Sequence, residues 1–154
     1  MTFLISLFIA LQIILFFVMT FHDWVHIPPL TDIRELEKHS TKKGRFINSL
    51  IFALIVAYPL YLTYAYRDHY TFGSMLSIVL VYGLLTLGTI LSWWIPYFFG
   101  SYSAAHKEAF AEYRTTHHFL PPIGDSVVPN TFHVLLHLLI WTCFGIALYL
   151  LCSF

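Results

Sequence analysis

With 154 residues, 58% of them hydrophobic, 10% charged and no net charge, the chain lies far below the roughly 25% charged content of soluble domains. That composition puts it in a membrane, and charges of both signs intermixed along the loops exclude a nucleic-acid surface. Two cysteines without a Cys-x-x-Cys spacing exclude a thiol-based redox or zinc motif.

Four segments are apolar over the roughly 20 residues that a bilayer-spanning helix needs: residues 3–26, 46–66, 74–99 and 132–152. The expected fold is an all-α integral membrane protein, one polytopic four-helix bundle with two short amphipathic helices in its long loops. The first segment has no basic leader and no small-residue cleavage site, so it reads as a retained helix rather than a signal peptide. It closes on HDWVHIPPLTD, residues 22–32. In a continued helix, His22 and His26 share one face, with Asp23 close in angle. Pro28-Pro29 then stops the helix.

The first loop carries Asp32 followed three residues later by Glu35, a capping-box spacing for a short helix that Gly44 can end. Lys42, Lys43 and Arg45 beside the second span suit lipid headgroups. The two long loops together hold seven basic residues, against Arg67 alone in the intervening turn. The excess of basic residues predicts cytoplasmic long loops and both termini outside, and the expected location is a bacterial inner membrane. Small and hydroxylated residues on the third span, Gly83, Gly88 and Thr89 among them, suit close helix approach. Trp93, Trp94 and Tyr97 at its end read as an interfacial aromatic belt.

The third loop, SAAHKEAFAEYRTTHH, reads as one helix capped by Ser103. On it His106, Phe110, Tyr113 and His117 form a stripe, and Glu108 and Glu112 turn away toward solvent. HHFLPPIGD at residues 117–125 echoes the end of the first span, a pattern that a duplicated hairpin or two independent Pro-Pro stops would both produce. Asp32 and Asp125, each following a Pro-Pro pair, read as turn caps. The fourth span opens with HVLLH, so His133 and His137 are again one turn apart.

Eight of nine histidines belong to the long-loop side: His22, His26, His39, His106, His117, His118, His133 and His137. Imidazole is a common ligand for iron, zinc and copper, and a pair one helical turn apart can chelate one ion. Polar side chains at membrane depth usually face the bundle interior. The candidate metal ligands are therefore His22, His26, His133 and His137, with His117, His118, His106 and Asp23 as further ligands or supporting groups. The HDWVH and HVLLH boxes and the His117-His118 doublet resemble the histidine boxes of membrane desaturases and hydroxylases. The resemblance covers the boxes alone, because Arg114 and Thr115 stand where the first histidine of an HxxHH box would fall. It implies redox iron acting on a lipid chain.

The expected function is a small membrane metalloprotein with an iron or zinc site at the loop-side interface, acting on a lipid-borne substrate by oxidation or hydrolysis. A bis-histidine haem carrier using His26 and His137 is the alternative. A third reading needs no cofactor: a transporter, or a membrane partner subunit whose histidines sense pH or pack polar faces, with an oligomer or a partner chain as its setting.

Overall fold

The computed structural model describes residues 2–124 and 126–153; Asp125 lies outside them. All regular structure among these residues is helical: α1 Thr2–Phe21, α2 Ile33–His39, α3 Lys42–Ala65, α4 Phe72–Thr89, α5 Ile95–Phe99, α6 Ala104–Ala109 and α7 Thr131–Cys152. Four stretches are long and apolar enough to cross a membrane: Phe3–Phe21, Lys42–Ala65, Phe72–Phe99 and Thr131–Cys152. The chain is thus a membrane-type helical bundle.

Packing closes a ring. α1 lies against α3, α3 against α4, α4 against α7, and α7 returns to α1. Phe8, Leu15, Val56, Ile78 and Ile140 fill the centre. Gly83 lets α7 come close: a Cβ there would stand 3.3 Å from the Phe144 ring, which matches the expected role of small residues on this span. Large apolar side chains such as Leu54, Leu80 and Leu84 are exposed on the outside, as a lipid-facing surface requires.

The third span is not one regular helix. Residues Ile90–Trp94 form a single wide π turn between α4 and α5. Pro96 is the cause that the sequence supplies. It has no N–H for the Ser92 carbonyl, its ring would press on that carbonyl, and a wider turn relieves both. The result is that Trp93 and Tyr97 turn inward, to 7% and 4% exposure. The aromatic belt expected here is therefore partly a buried aromatic wall.

Both loop helices are shorter than the sequence suggested. Asp32 caps α2 by accepting from the N–H groups of Arg34 and Glu35, but α2 ends at Ser40. Gly44 instead sits in the first turn of α3, where its N–H donates to the capping Thr41 hydroxyl at 3.1 Å. In the third loop α6 stops at Ala109, and a 3-10 turn covers Ala111–Tyr113. The Tyr113 carbonyl is captured there by Thr116 Oγ1 at 2.6 Å and by His118 Nε2 at 3.0 Å, which leaves no acceptor for a continuing helix. His106 and His117 accordingly do not share a helical stripe.

The two Pro-Pro loops meet. The His117 N–H donates to the Pro29 carbonyl at 2.8 Å, and Thr115 Oγ1 donates to Asp32 Oδ2 at 3.0 Å. This docking presses the 3-10 turn against α2 and brings the third loop over the open end of the bundle.

Candidate functional site

α1 ends one residue before His22. The chain then turns, because the Thr31 hydroxyl donates to the Val25 carbonyl and accepts from the Ile27 N–H, both at 2.7 Å. Ile27 also precedes a proline, which disfavours helix. His22 and His26 are therefore not a pair on one helical face. His26 is exposed in the loop, whereas His22 stays against the bundle.

At this end three histidines converge. The His22 and His133 rings are 6.1 Å apart between centroids, and His133 and His137 are also 6.1 Å apart. His133 stacks on Trp93 and meets the edge of Tyr113, each at 4.5 Å. Sequence reasoning thus correctly joined α1's end to α7, but through His22 alone.

Hydrogen bonds determine what each ring can do. His22 Nδ1 donates to the Val18 carbonyl at 3.1 Å, and its Nε2 faces Asp23 Oδ1 at 3.1 Å. Both partners are acceptors, so each nitrogen of this ring is engaged within the protein. Asn130, the N-cap of α7, accepts on Oδ1 from the His133 N–H at 2.9 Å. That bond fixes which end of the amide is oxygen, and His133 Nδ1 then donates to the same oxygen at 2.7 Å. The Nε2 of His133 is left free. His137 is the reverse case: the Trp94 indole N–H donates to its Nδ1 at 3.2 Å, so the ring proton sits on Nε2.

A cavity of about 390 Å³ joins this cluster to the interior of the bundle. Its polar wall includes His22, Asp23, Arg45, Glu112, His133 and His137, and its apolar wall includes Met19, Phe52, Leu85, Leu136 and Ile140. Arg45 is 4% exposed, donates to Glu37 at 2.9 Å and to the Asp23 carbonyl at 3.3 Å, and lies 5.0 Å from the centre of the Trp24 ring. Expected as a headgroup anchor, it is a buried brace of the site. Glu112, expected to face solvent, lines the cavity because the 3-10 turn rotates it inward. Burial pushes its carboxyl above the usual glutamate range, and the charge of Asp23 adds to that. Burial likewise raises the Tyr113 phenol.

The remaining candidates lie elsewhere. His117 is exposed, with Nδ1 2.7 Å from Thr131 Oγ1. His118 spends Nε2 on the Tyr113 carbonyl. His106 sits between Tyr102 and Phe110, at 5.1 and 4.9 Å. None of these lines the cavity, and neither does His26.

The donor set does not suit a metal ion as arranged. Among the described residues no three His, Cys, Asp or Glu side chains form a group able to hold one. Both His22 nitrogens are engaged within the protein, and His137 gives its Nδ1 lone pair to Trp94. For haem, His137 lines the cavity but its intended partner His26 does not. Trp93, Trp94, Tyr113 and Asn130 were missed as site residues, and Glu112 was set aside as solvent-facing; the Asn-x-x-His spacing of residues 130–133 was a readable signal for Asn130. Comparison with family models, with curated proteins and with solved structures finds no match.

Proposed function

We propose that this chain binds one lipid-borne amphiphile, with its tail among the four spans and its head at the histidine end, and transfers protons on that head. The observation that carries this is the continuity of the cavity: one space of about 390 Å³ has both the polar cluster and the apolar helix faces as walls. The volume falls in the range of roughly 300–1,000 Å³ seen for small-molecule sites. The polar end holds the parts of an acid–base site, a histidine–carboxylate pair in His22 and Asp23 and a carboxyl in Glu112 that burial favours in its protonated form.

Two glycines give a matched test. Gly88 lines the cavity and Gly145 does not; at each, an added Cβ meets nothing within 4 Å. Replacing a helical glycine should not weaken either helix. Native mass spectrometry of the purified protein should show one bound amphiphile in the wild type and in Gly145→Leu, and none in Gly88→Leu. Equal occupancy in all three would defeat the proposal. Elemental analysis of untagged protein addresses the chemistry, and a stoichiometric iron or zinc content would replace this acid–base reading with a metal-dependent one.

A further inference from the structure

The two buried histidines on α7 present opposite hydrogen-bonding faces to one cavity. His133 is 7% and His137 2% exposed. His133 donates through Nδ1 to Asn130, so the neutral ring offers a bare acceptor at Nε2. His137 accepts at Nδ1 from Trp94, a group that can only donate, so its Nε2 carries the proton and offers a donor. Among the described residues neither Nε2 has a hydrogen-bond partner, and both rings line the cavity. An acceptor and a donor left open to the cavity one helical turn apart suit a ligand group that can serve both.

We infer that the head this cavity takes is an uncharged hydroxyl group, donating to His133 Nε2 and accepting from His137 Nε2–H; the inference rests on the amphiphile reading above. A hydroxyl is the smallest group that both donates and accepts. The two rings are neighbours, 6.1 Å apart between centroids, close enough for their Nε2 atoms to share one oxygen at roughly 2.8 Å from each. Of the ionisable groups lining the cavity, His22 is matched with Asp23 and Arg45 with Glu37, and burial favours the neutral form of Glu112. An ionic head would therefore enter without a counter-charge of its own. The aromatic wall of Trp93, Phe110 and Tyr113 accepts either an aliphatic alcohol or the ring of a quinol.

The test is an equilibrium titration read by native mass spectrometry, in wild type and in Gly88→Leu. The probes are farnesol, its methyl ether and the corresponding carboxylic acid, and a short-tailed quinol with its dimethyl ether. The alcohol, the quinol or both should bind the wild type, with each ether weaker by roughly tenfold to a hundredfold, because methylation removes the donor to His133. Preference for the quinol over farnesol, or the reverse, identifies which hydroxyl source the aromatic wall favours. In His133→Phe the alcohol-to-ether ratio should fall to about one. Should that variant not fold for loss of its Asn130 bond, His137→Phe should weaken alcohol and ether together and keep the ratio.

Three results overturn the inference. They are an ether that binds as well as its alcohol, no binding by farnesol and quinol alike, and a carboxylate that binds more tightly than the alcohol. The last would assign the head to Arg45, whose buried Nε has no partner. If the ether equals the alcohol while Gly88→Leu still abolishes binding, only the hydroxyl assignment fails. If Gly88→Leu binds normally, the cavity reading itself fails.

Discussion

Midway along α1, Gln12 donates to Thr63 of α3 at 3.0 Å, and Thr63 passes its own proton to the Pro59 carbonyl at 2.8 Å. All three residues are fully buried and none lines the cavity at the histidine end. At the loop end, Asn130 and Trp94 play the part of Pro59: each fixes one nitrogen of a buried histidine. There the chains of bonds do not close on protein. They stop at the free Nε2 of His133 and of His137, on the wall of a cavity. In the middle of the bundle the Tyr82 hydroxyl adjoins the Gln12 and Cys143 side chains, and neither Tyr82 nor Gln12 lines the cavity. An unmatched polar atom facing protein is a cost of packing; one facing a cavity is an offer to a ligand.

Asn130→Ala attacks the loop end most directly. It removes the N-cap of α7, worth about 1 kcal/mol, and strands the buried His133 Nδ1–H, for a further 1–3 kcal/mol or so. A loss of about 3 kcal/mol in a denaturant titration is expected, together with loss of the alcohol preference. A loss below about 1 kcal/mol would mean that Asn130 does not orient His133.

A smaller effect is expected at Glu112. Its carboxyl titrates higher in the folded chain than in the unfolded one, because burial disfavours the charge. The folded state then binds more protons, so stability falls as pH rises from the ordinary glutamate value of about 4.3 up through the folded value. Glu112→Gln should flatten that part of the pH–stability curve and leave the acid limb unchanged. An unaltered curve would place Glu112 in solvent.

The smallest change is expected in the closed cluster. Gln12→Met conserves shape and removes the amide beside the Tyr82 hydroxyl, which keeps Cys143 as a neighbour, while Thr63 keeps its bond to Pro59. Stability should move by less than about 1 kcal/mol in either direction, and amphiphile binding should not change. A Gln12→Met variant that loses its ligand would show that the two polar clusters are coupled, and the contrast between them would disappear.

The four spans and the approach of α1's end to the start of α7 were legible before any coordinates. They rest on apolar runs, which lipid demands of every bilayer-crossing helix, and on the rule that polar groups at membrane depth turn inward. The His133–His137 pair was legible because the helix period alone puts residues four apart on one face. The same period misled at His22–His26 and at His106–His117, where it was applied to stretches that are not continuous helix. Thr31 bends the first away and the captured Tyr113 carbonyl ends the second.

What the sequence determined by itself is therefore the class of molecule and a concentration of histidine at one end of it. Only the tertiary structure decided what those histidines are. Ring tautomers are set by partners distant in the chain, Trp94 for His137 being 43 residues away, and no local pattern encodes such a bond. The cavity too is a property of four helices and a docked loop, since its wall draws Met19, Phe52, Leu85, Glu112 and Leu136 from separate segments. Composition determines which solvent a helix can face; only packing decides which nitrogen is left free, and what space it is left facing.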